Sequence, residues 1–518
     1  ATVFAIAESS IEKGLIWTGS DDGLIYLSRD GGGAWQNVTP GPDLLPEWAL
    51  ISIVEPSRFN AATCYVAATR YKSHDDAPYL LRTDDYGASW QAINNGIPAD
   101  EFTRVIREDH EVMNLLFAGT ERGLYVSFDR GDNWQPLALN LPLVPIYDLV
   151  IAQGDLVVGT HGRSFWVLDD ISPLRQLADG AVTENGTILY APRASKRWAA
   201  APGFGSQAVP GRNFRSAGGL STSFEQITTA EGKKKDISLD AGDNPPDGVL
   251  INYYLAQEPK DDLVLRILDG EGKLIREFSS QEPDEKEFKD NPGRTKPPVV
   301  PAKQGGNRFV WDLRYPNATE VPDDTGSMGF ARGATGPKAA PGSYQVEIVN
   351  GGTTLTQAFE LLPDARTGSS VEDYREGFEL ALAVRDKLSE LHEGVNKLRA
   401  VRKQVDAWSE RLDDEGVTKA GEALKDRLRE VEDELIQWRA KAGQDTLNFP
   451  VKLNAKLAAL IGSINGTEGK PTTQVREVFT DLSGKVDTQL KKLDAILKDD
   501  VPGFNTQVKA VAADAIAL

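Results

Sequence analysis

The chain has 518 residues, 40% hydrophobic and 26% charged, a balance that supports several buried cores and excludes a wholly disordered chain. Asp and Glu number 77 against 57 Lys and Arg, and the formal net charge of −20 argues against nucleic-acid and membrane-surface binding, because such a surface repels phosphate. Cys64 is the single cysteine and there are four histidines, which excludes an internal disulfide, a cysteine-built zinc site and a His-rich metal centre. No run of about 18 apolar residues is present, so no membrane span is expected. At roughly 100–200 residues per domain, the length predicts three to five domains.

Residues 2–7 alternate like a strand, with no initiator Met, basic segment or apolar leader before them. The expectation is a piece of a longer protein. Residues 1–178 then repeat themselves around a shared Ser/Thr-x-Asp-x-Gly-x-x-Trp box. Its copies are Ser28, Asp30, Gly32 and Trp35; Thr83, Asp85, Gly87 and Trp90; and Ser127, Asp129, Gly131 and Trp134. Each follows a short alternating strand. A fourth copy over residues 157–169 keeps Asp169 and lacks the Gly and Trp, as a terminal repeat does. The chemistry of the box is that of a tight turn. Asp and Ser oxygens accept backbone N–H groups, Gly takes a positive φ, and the Trp folds back to cover its own hairpin. The Trp residues lie 55 and 44 residues apart, which suits four-stranded propeller blades with one enlarged loop over residues 70–78.

The boxes resemble the Asp-box, or bacterial neuraminidase, repeat. The wider context, including 4–9, 123–127 and 160–166, is similar to the bacterial Asp-box propeller proteins related to the sortilin luminal domain, matching their C-terminal half. That resemblance implies a periplasmic or secreted location. A protein or glycan ligand is expected, and because four copies make about three and a half blades, fewer than a closed propeller needs, so is a partner that completes the propeller, either the N-terminal half of the same precursor or another copy in a homo-oligomer. The Asp box itself occurs in sialidases, glucan hydrolases and non-enzymatic receptors, so it speaks to fold rather than function.

Residues 179–248, rich in Gly, Ser, Ala and Arg, are expected to form an irregular connector. Alternating segments over 249–365 predict a β-sandwich, and 305–312 with 340–344 resemble an Ig-like add-on domain of the flagellar hook-capping type. From Val371 the apolar period changes from 2 to 3.6. Stripes over 371–412, 424–442, 453–464 and 475–497 predict single-faced helices that pack as an antiparallel bundle over 370–518. The expected fold class is therefore multidomain, mainly β then α: Asp-box propeller blades, an Ig-like sandwich and a C-terminal helical bundle.

Candidate chemistry is sparse. Asp30, Asp85 and Asp129 sit in turns of separate blades, whereas a glycosidase needs two carboxylates on one bond, roughly 5–10 Å apart. No catalytic residue is assigned. His161, Arg163 and Trp166 form the cluster most like a binding site, combining an imidazole, a guanidinium and an aromatic near a loop. The bland alternative is backbone bonding by His161 and Arg163 with Trp166 in the core. Carboxylate pairs at Asp21-Asp22, Asp84-Asp85 and Asp169-Asp170 suit Ca²⁺ but lack EF-hand spacing, so no cofactor or metal is expected. The leading reading is a non-catalytic extracytoplasmic binding or assembly protein. Its rival is a glycoside hydrolase, or a related polymer-degrading enzyme, with its cleft mainly in a missing N-terminal half.

Overall fold

Short runs of β-branched and aromatic residues, closed by Gly-bearing turns, fold into successive antiparallel sheets over the first 170 residues. Blade one contains β1 (Val3–Glu8), β2 (Ile16–Ser20), β3 (Ile25–Ser28) and β4 (Gln36–Asn37). Blade two contains β5 (Leu50–Pro56), β6 (Cys64–Arg70), β7 (Asp75–Thr83) and β8 (Gln91–Ala92). Blade three contains β9 (Thr103–Glu108), β10 (Leu116–Thr120), β11 (Leu124–Ser127) and β12 (Gln135–Pro136). Blade four has three strands, β13 (Ile146–Ala152), β14 (Asp155–Thr160) and β15 (Phe165–Leu168), followed by helix α1 (Ser172–Ala178). The computed structural model describes all residues except 182, 184, 185, 199–202, 205–207, 218, 219, 229–233, 240, 241, 243, 244, 285–295, 323, 325, 329–334, 467 and 512–518. It divides into two units, Ala1–Ala191 and Pro192–Leu518.

The cores of the first unit lie between blades. Successive side chains on a strand point to opposite faces, and β6 uses both. Cys64, Val66 and Ala68 pack with Trp17, Ile25 and Leu27 of blade one. Tyr65 and Ala67 pack with Ile106, Leu116 and Trp134 of blade three. The other face of blade three, with Phe117 and Val126, meets Ile146, Leu149 and Val158 of blade four. First strands therefore pack in succession, β1 on β5, β5 on β9 and β9 on β13. Most of the expected loop at 70–78 is instead strand. After one helical turn at Tyr71–Ser73, β7 begins at Asp75, where the Asp75 carboxylate bonds Arg70 and the Tyr79 hydroxyl.

A short strand, β16 (Thr187–Leu189), ends the first unit. The second unit begins with β17 (Ser195–Arg197). The segment expected as an irregular connector then carries a four-stranded sheet of β18 (Gly203–Phe204), β19 (Gly211–Ala217), β20 (Leu220–Thr228) and β21 (Lys234–Ser238). Sequence pattern missed it because apolar residues do not mark one face: Phe224 turns inward while Phe214 and Ile237 remain exposed. β22 (Val249–Leu255), β23 (Val264–Asp269), β24 (Leu274–Ser279), β25 (Gly305–Trp311), β26 (Gly342–Asn350) and β27 (Thr353–Pro363) follow. β22 pairs with β25, while β17, β27, β26, β23 and β24 form one five-stranded sheet. Trp311 and Phe309 of β25 meet Tyr344, Phe359 and Phe278 of the larger sheet.

The C-terminal region is helical: α2 (Val371–Leu412), α3 (Glu415–Leu435), α4 (Leu453–Asn465), α5 (Thr473–Ala495) and α6 (Val501–Val511). Ser370 and Asp373 start α2 with a reciprocal capping box. One core unites the stripes, including Val384, Leu391, Leu428, Leu435, Leu457, Val486 and Phe504. The stripe expected to run on to 442 leaves the helix at Ile436, whose backbone is extended. Trp438 then caps the turn, donating its indole N–H to Asp433 at 2.5 Å. Among the described residues, no helix is long and apolar enough to cross a membrane.

Candidate functional site at the blade mouths

The Asp boxes are built as turns. Ser28, Thr83 and Ser127 each bond the box Asp at 2.8–2.9 Å and accept the N–H of the box Gly at 2.8–2.9 Å. Asp30 accepts the Ala34 N–H, Asp85 accepts from Ser89, and Asp129 accepts from Asn133. The Ala34 N–H and the Ser28 hydroxyl hold the Asp30 carboxyl below the usual range, and the Ser89 hydroxyl and N–H do the same for Asp85. At Asp129 burial pushes upward, but the Asn133 and Ser127 bonds prevail and lower it. These carboxylates are committed to their own turns.

The box tryptophans do not simply cover their own hairpins. Trp90 donates its indole N–H to the Val38 carbonyl of blade one at 2.7 Å, and Trp134 donates to the Ile93 carbonyl of blade two at 2.6 Å. The receiving carbonyl lies just beyond the outermost strand of the preceding blade. The box glycines reinforce this joint. A Cβ on Gly87 would lie 2.6 Å from the Val38 side chain, and one on Gly131 would lie 2.6 Å from Ile93, at positive φ in both cases. Trp35 has no such neighbour among the described residues and is 43% exposed.

His161, Arg163 and Trp166 make separate contacts. The Trp166 indole donates to the Arg163 carbonyl at 2.9 Å, the exposed Arg163 guanidinium bonds the Gly162 carbonyl, and Trp166 packs partly against the blade core. His161 instead lies against Tyr147, with ring centroids 4.7 Å apart.

Tyr147 leads to an array that motif reading missed. The Arg104 guanidinium sits 4.2 Å from the Tyr147 ring, 4.9 Å from Phe102 and 5.3 Å from Tyr71. Its Nε and Nη2 both donate to one Glu121 oxygen, at 2.8 and 2.5 Å. Tyr71 stacks on Phe102 at 5.0 Å. The backbone repeats beneath these groups: Glu121 N–H bonds the Phe102 carbonyl, His161 N–H bonds that of Pro145, and Asp21 N–H bonds that of Thr2. The mouths of blades one, three and four thus each offer one residue after the second strand and one early in the first strand. In blades three and four these are Glu121 with Arg104, and His161 with Tyr147. Their ionic groups pair off, and the exposed surface is chiefly the Tyr71 and Tyr147 rings with the His161 imidazole. Such rings stack on apolar faces of sugars or peptides and keep a polar edge in water.

Other carboxylates are engaged elsewhere. Glu108 is fully buried and accepts from the Ser57 hydroxyl and the Arg58 N–H, while Glu55 pairs with Arg107 at 3.0 Å. Burial raises both carboxyls above their ordinary range, and it drives the adjacent Cys64 thiol well up. Asp84 bonds Thr63 and Arg130, Asp21 accepts the Thr2 N–H, and Asp170 accepts the Ser172 N–H. Among the described residues, no group of three or more His, Cys, Asp or Glu is placed to hold a metal ion.

No protein-family model matches the chain, and no curated protein matches it. Solved structures do. A GH74 xyloglucanase from Xanthomonas campestris is 18% identical, with 49% of this chain and 42% of the enzyme covered and a TM-score of 0.27. YCF48 from Cyanidioschyzon merolae is 14% identical over 49% of this chain and 79% of its own, with a TM-score of 0.25. The extracellular domain of a one-component system from B. thetaiotaomicron is 11% identical over 70% and 56%, with a TM-score of 0.25. The chain spans less than half of the xyloglucanase it matches. At these TM-scores the likenesses say nothing of activity.

Proposed function

We propose that this chain is a non-catalytic binding or assembly protein working outside the cytoplasm, as the resemblance to sortilin-related Asp-box propellers implies. Its blades, Ig-like sandwich and antiparallel helical bundle form the platform. A protein or glycan ligand meets the blade mouths at Tyr71, Tyr147 and His161, while further blades, from the rest of a longer precursor or from another copy, complete the arc. The role needs no cofactor.

One observation carries this reading: Asp30, Asp85 and Asp129 spend their oxygens on their own turns. A glycosidase needs two carboxylates free to face one bond, whereas the half-buried Glu55 and the buried Glu108 are tied to Arg107, Ser57 and Arg58. The exposed rings suit stacking instead. Two assays on the full chain test it, namely release of reducing ends from soluble polysaccharides and binding to immobilised glycans and peptides. The expected result is no release, with binding that drops at least tenfold in Tyr71→Ala/Tyr147→Ala. Release of reducing ends would move the chain to the rival reading, a hydrolase.

A further inference from the structure

The joint between blades one and two recurs between blades two and three, and blade one carries half of that joint unfilled. At these two joints an indole N–H from the later blade reaches the carbonyl beyond the outer strand of the earlier one, Trp90 to Val38 and Trp134 to Ile93, while blade four, whose box lacks the Trp, meets blade three through apolar packing. Where blade one meets blade two and blade three meets blade four, the second strand of the earlier blade offers a glycine to the first strand of the later one. A Cβ on Gly19 would lie 2.3 Å from Ile51, and one on Gly119 would lie 2.6 Å from Ile146. On β1, Ala5 and Ala7 face blade two, while the alternate side chains Phe4 and Ile6 are 58% and 69% exposed. Gly32, the counterpart of Gly87 and Gly131, meets only its own Trp35. Trp35, Phe4 and Ile6 thus present apolar surface with an indole donor that no described residue serves, on a chain of net charge −20.

We propose that this face is the seat of a four-stranded Asp-box blade that residues 1–518 do not themselves supply, whose outer-strand carbonyl accepts the Trp35 indole N–H. The proposal deepens the assembly reading above, on which it rests. A second copy of this chain does not fit the seat. Its free flank is blade four, where Phe165 and Val167 are exposed, but blade four stops at three strands and has no outer strand to present the carbonyl. The outer-strand carbonyls of blades one and two are already taken, and Leu137, beyond the outer strand of blade three, packs on the core that blade three shares with blade four.

The test uses the full chain with residues 47–100, blade two and its connection, duplicated directly ahead of Ala1. This supplies an Ile93-type carbonyl in register with Trp35. Oxidation of individual tryptophans by N-bromosuccinimide, read by peptide mass, reports the seat. In the unmodified chain Trp35 should react at least tenfold faster than Trp134, and in the extended chain the two should react at similar rates. Equal rates in the unmodified chain would mean that residues 1–518 fill the seat themselves, and the proposal fails. An unchanged Trp35 rate in the extended chain also overturns it. Sedimentation of the unmodified chain covers the remaining occupant: a dimer abolished by Ile6→Lys would show a second copy in the seat. Release of reducing ends would refute the non-catalytic reading without altering these oxidation rates, so the two failures are distinguishable.

Discussion

Trp134 donates its indole N–H to the Ile93 carbonyl at 2.6 Å, and the ring that makes this bond is 5% exposed. The residue that reads as the lid of one hairpin is therefore the bolt between two blades. Removing it opens a cavity between the blades and leaves a buried carbonyl unpaired. Trp134→Ala should cost about 3–5 kcal/mol, whereas Trp35→Ala, at the unfilled joint, should change stability by less than about 0.5 kcal/mol. Denaturant midpoints of the two variants decide this, and equal losses would refute the joint.

Glycines mark the same joint from the other side. Alanine at Gly19 would push a methyl into Ile51, with blade two behind it and no room to yield. At Gly159, the corresponding residue of blade four, the nearest atoms to a Cβ belong to its own blade at 3.5 Å or more. Gly19→Ala should cost about 1–3 kcal/mol by overpacking, and Gly159→Ala should be close to neutral. Thermal unfolding of the pair checks the contrast.

The repeats were legible because the box fixes residue types at fixed spacing, and the turn chemistry of Ser28, Asp30 and Gly32 is local. The partner of each Trp was not legible. Val38 lies 52 residues before Trp90, and any residue can provide a carbonyl, so selection leaves no side-chain signature there. The mouth array escaped for a related reason. Phe4, Arg104 and Tyr147 follow the residue that opens the pairing in β1, β9 and β13, but differ in type, so a shared place never became a shared motif. His161 was legible by its chemistry, but the ring it packs on was not, because Tyr147 arrives from another strand.

Helix α1 is clamped to blade three by a buried ion pair. Arg175 donates from Nε and Nη2 to the fully buried Asp109 carboxylate, at 2.9–3.1 Å. Truncating one partner strands the other charge away from water. Arg175→Met should therefore cost about 3–5 kcal/mol. The double variant Arg175→Met/Asp109→Asn should recover part of that loss, and a double-mutant cycle in urea measures it. A double variant no more stable than the single would show that packing of the Arg175 stem, rather than charge, holds the helix.

His392 gives the helical region a pH dependence with a definite sign. It is buried on α2, with Nδ1 against the Thr319 carbonyl at 2.5 Å and Nε2 without a partner among the described residues. Burial depresses its pKa below 6.5 and the Arg399 charge adds to this, while Thr319 and Asp324 act in the opposite direction without prevailing. Between 6.5 and that lower value the unfolded chain binds a proton that the folded chain refuses, so stability is full above 6.5 and falls as pH falls. One proton sets a ceiling of about 1.4 kcal/mol per pH unit. Glu55 and Glu108, whose carboxyls are raised by burial, work in the opposite sense in the blades. The effect is therefore read as a difference between wild type and His392→Gln, in urea midpoints of the helical region followed by hydrogen exchange at pH 7.5 and pH 5.5. The wild type should lose more stability than the variant on going to the lower pH. Parallel losses in both proteins would mean that His392 does not titrate with folding.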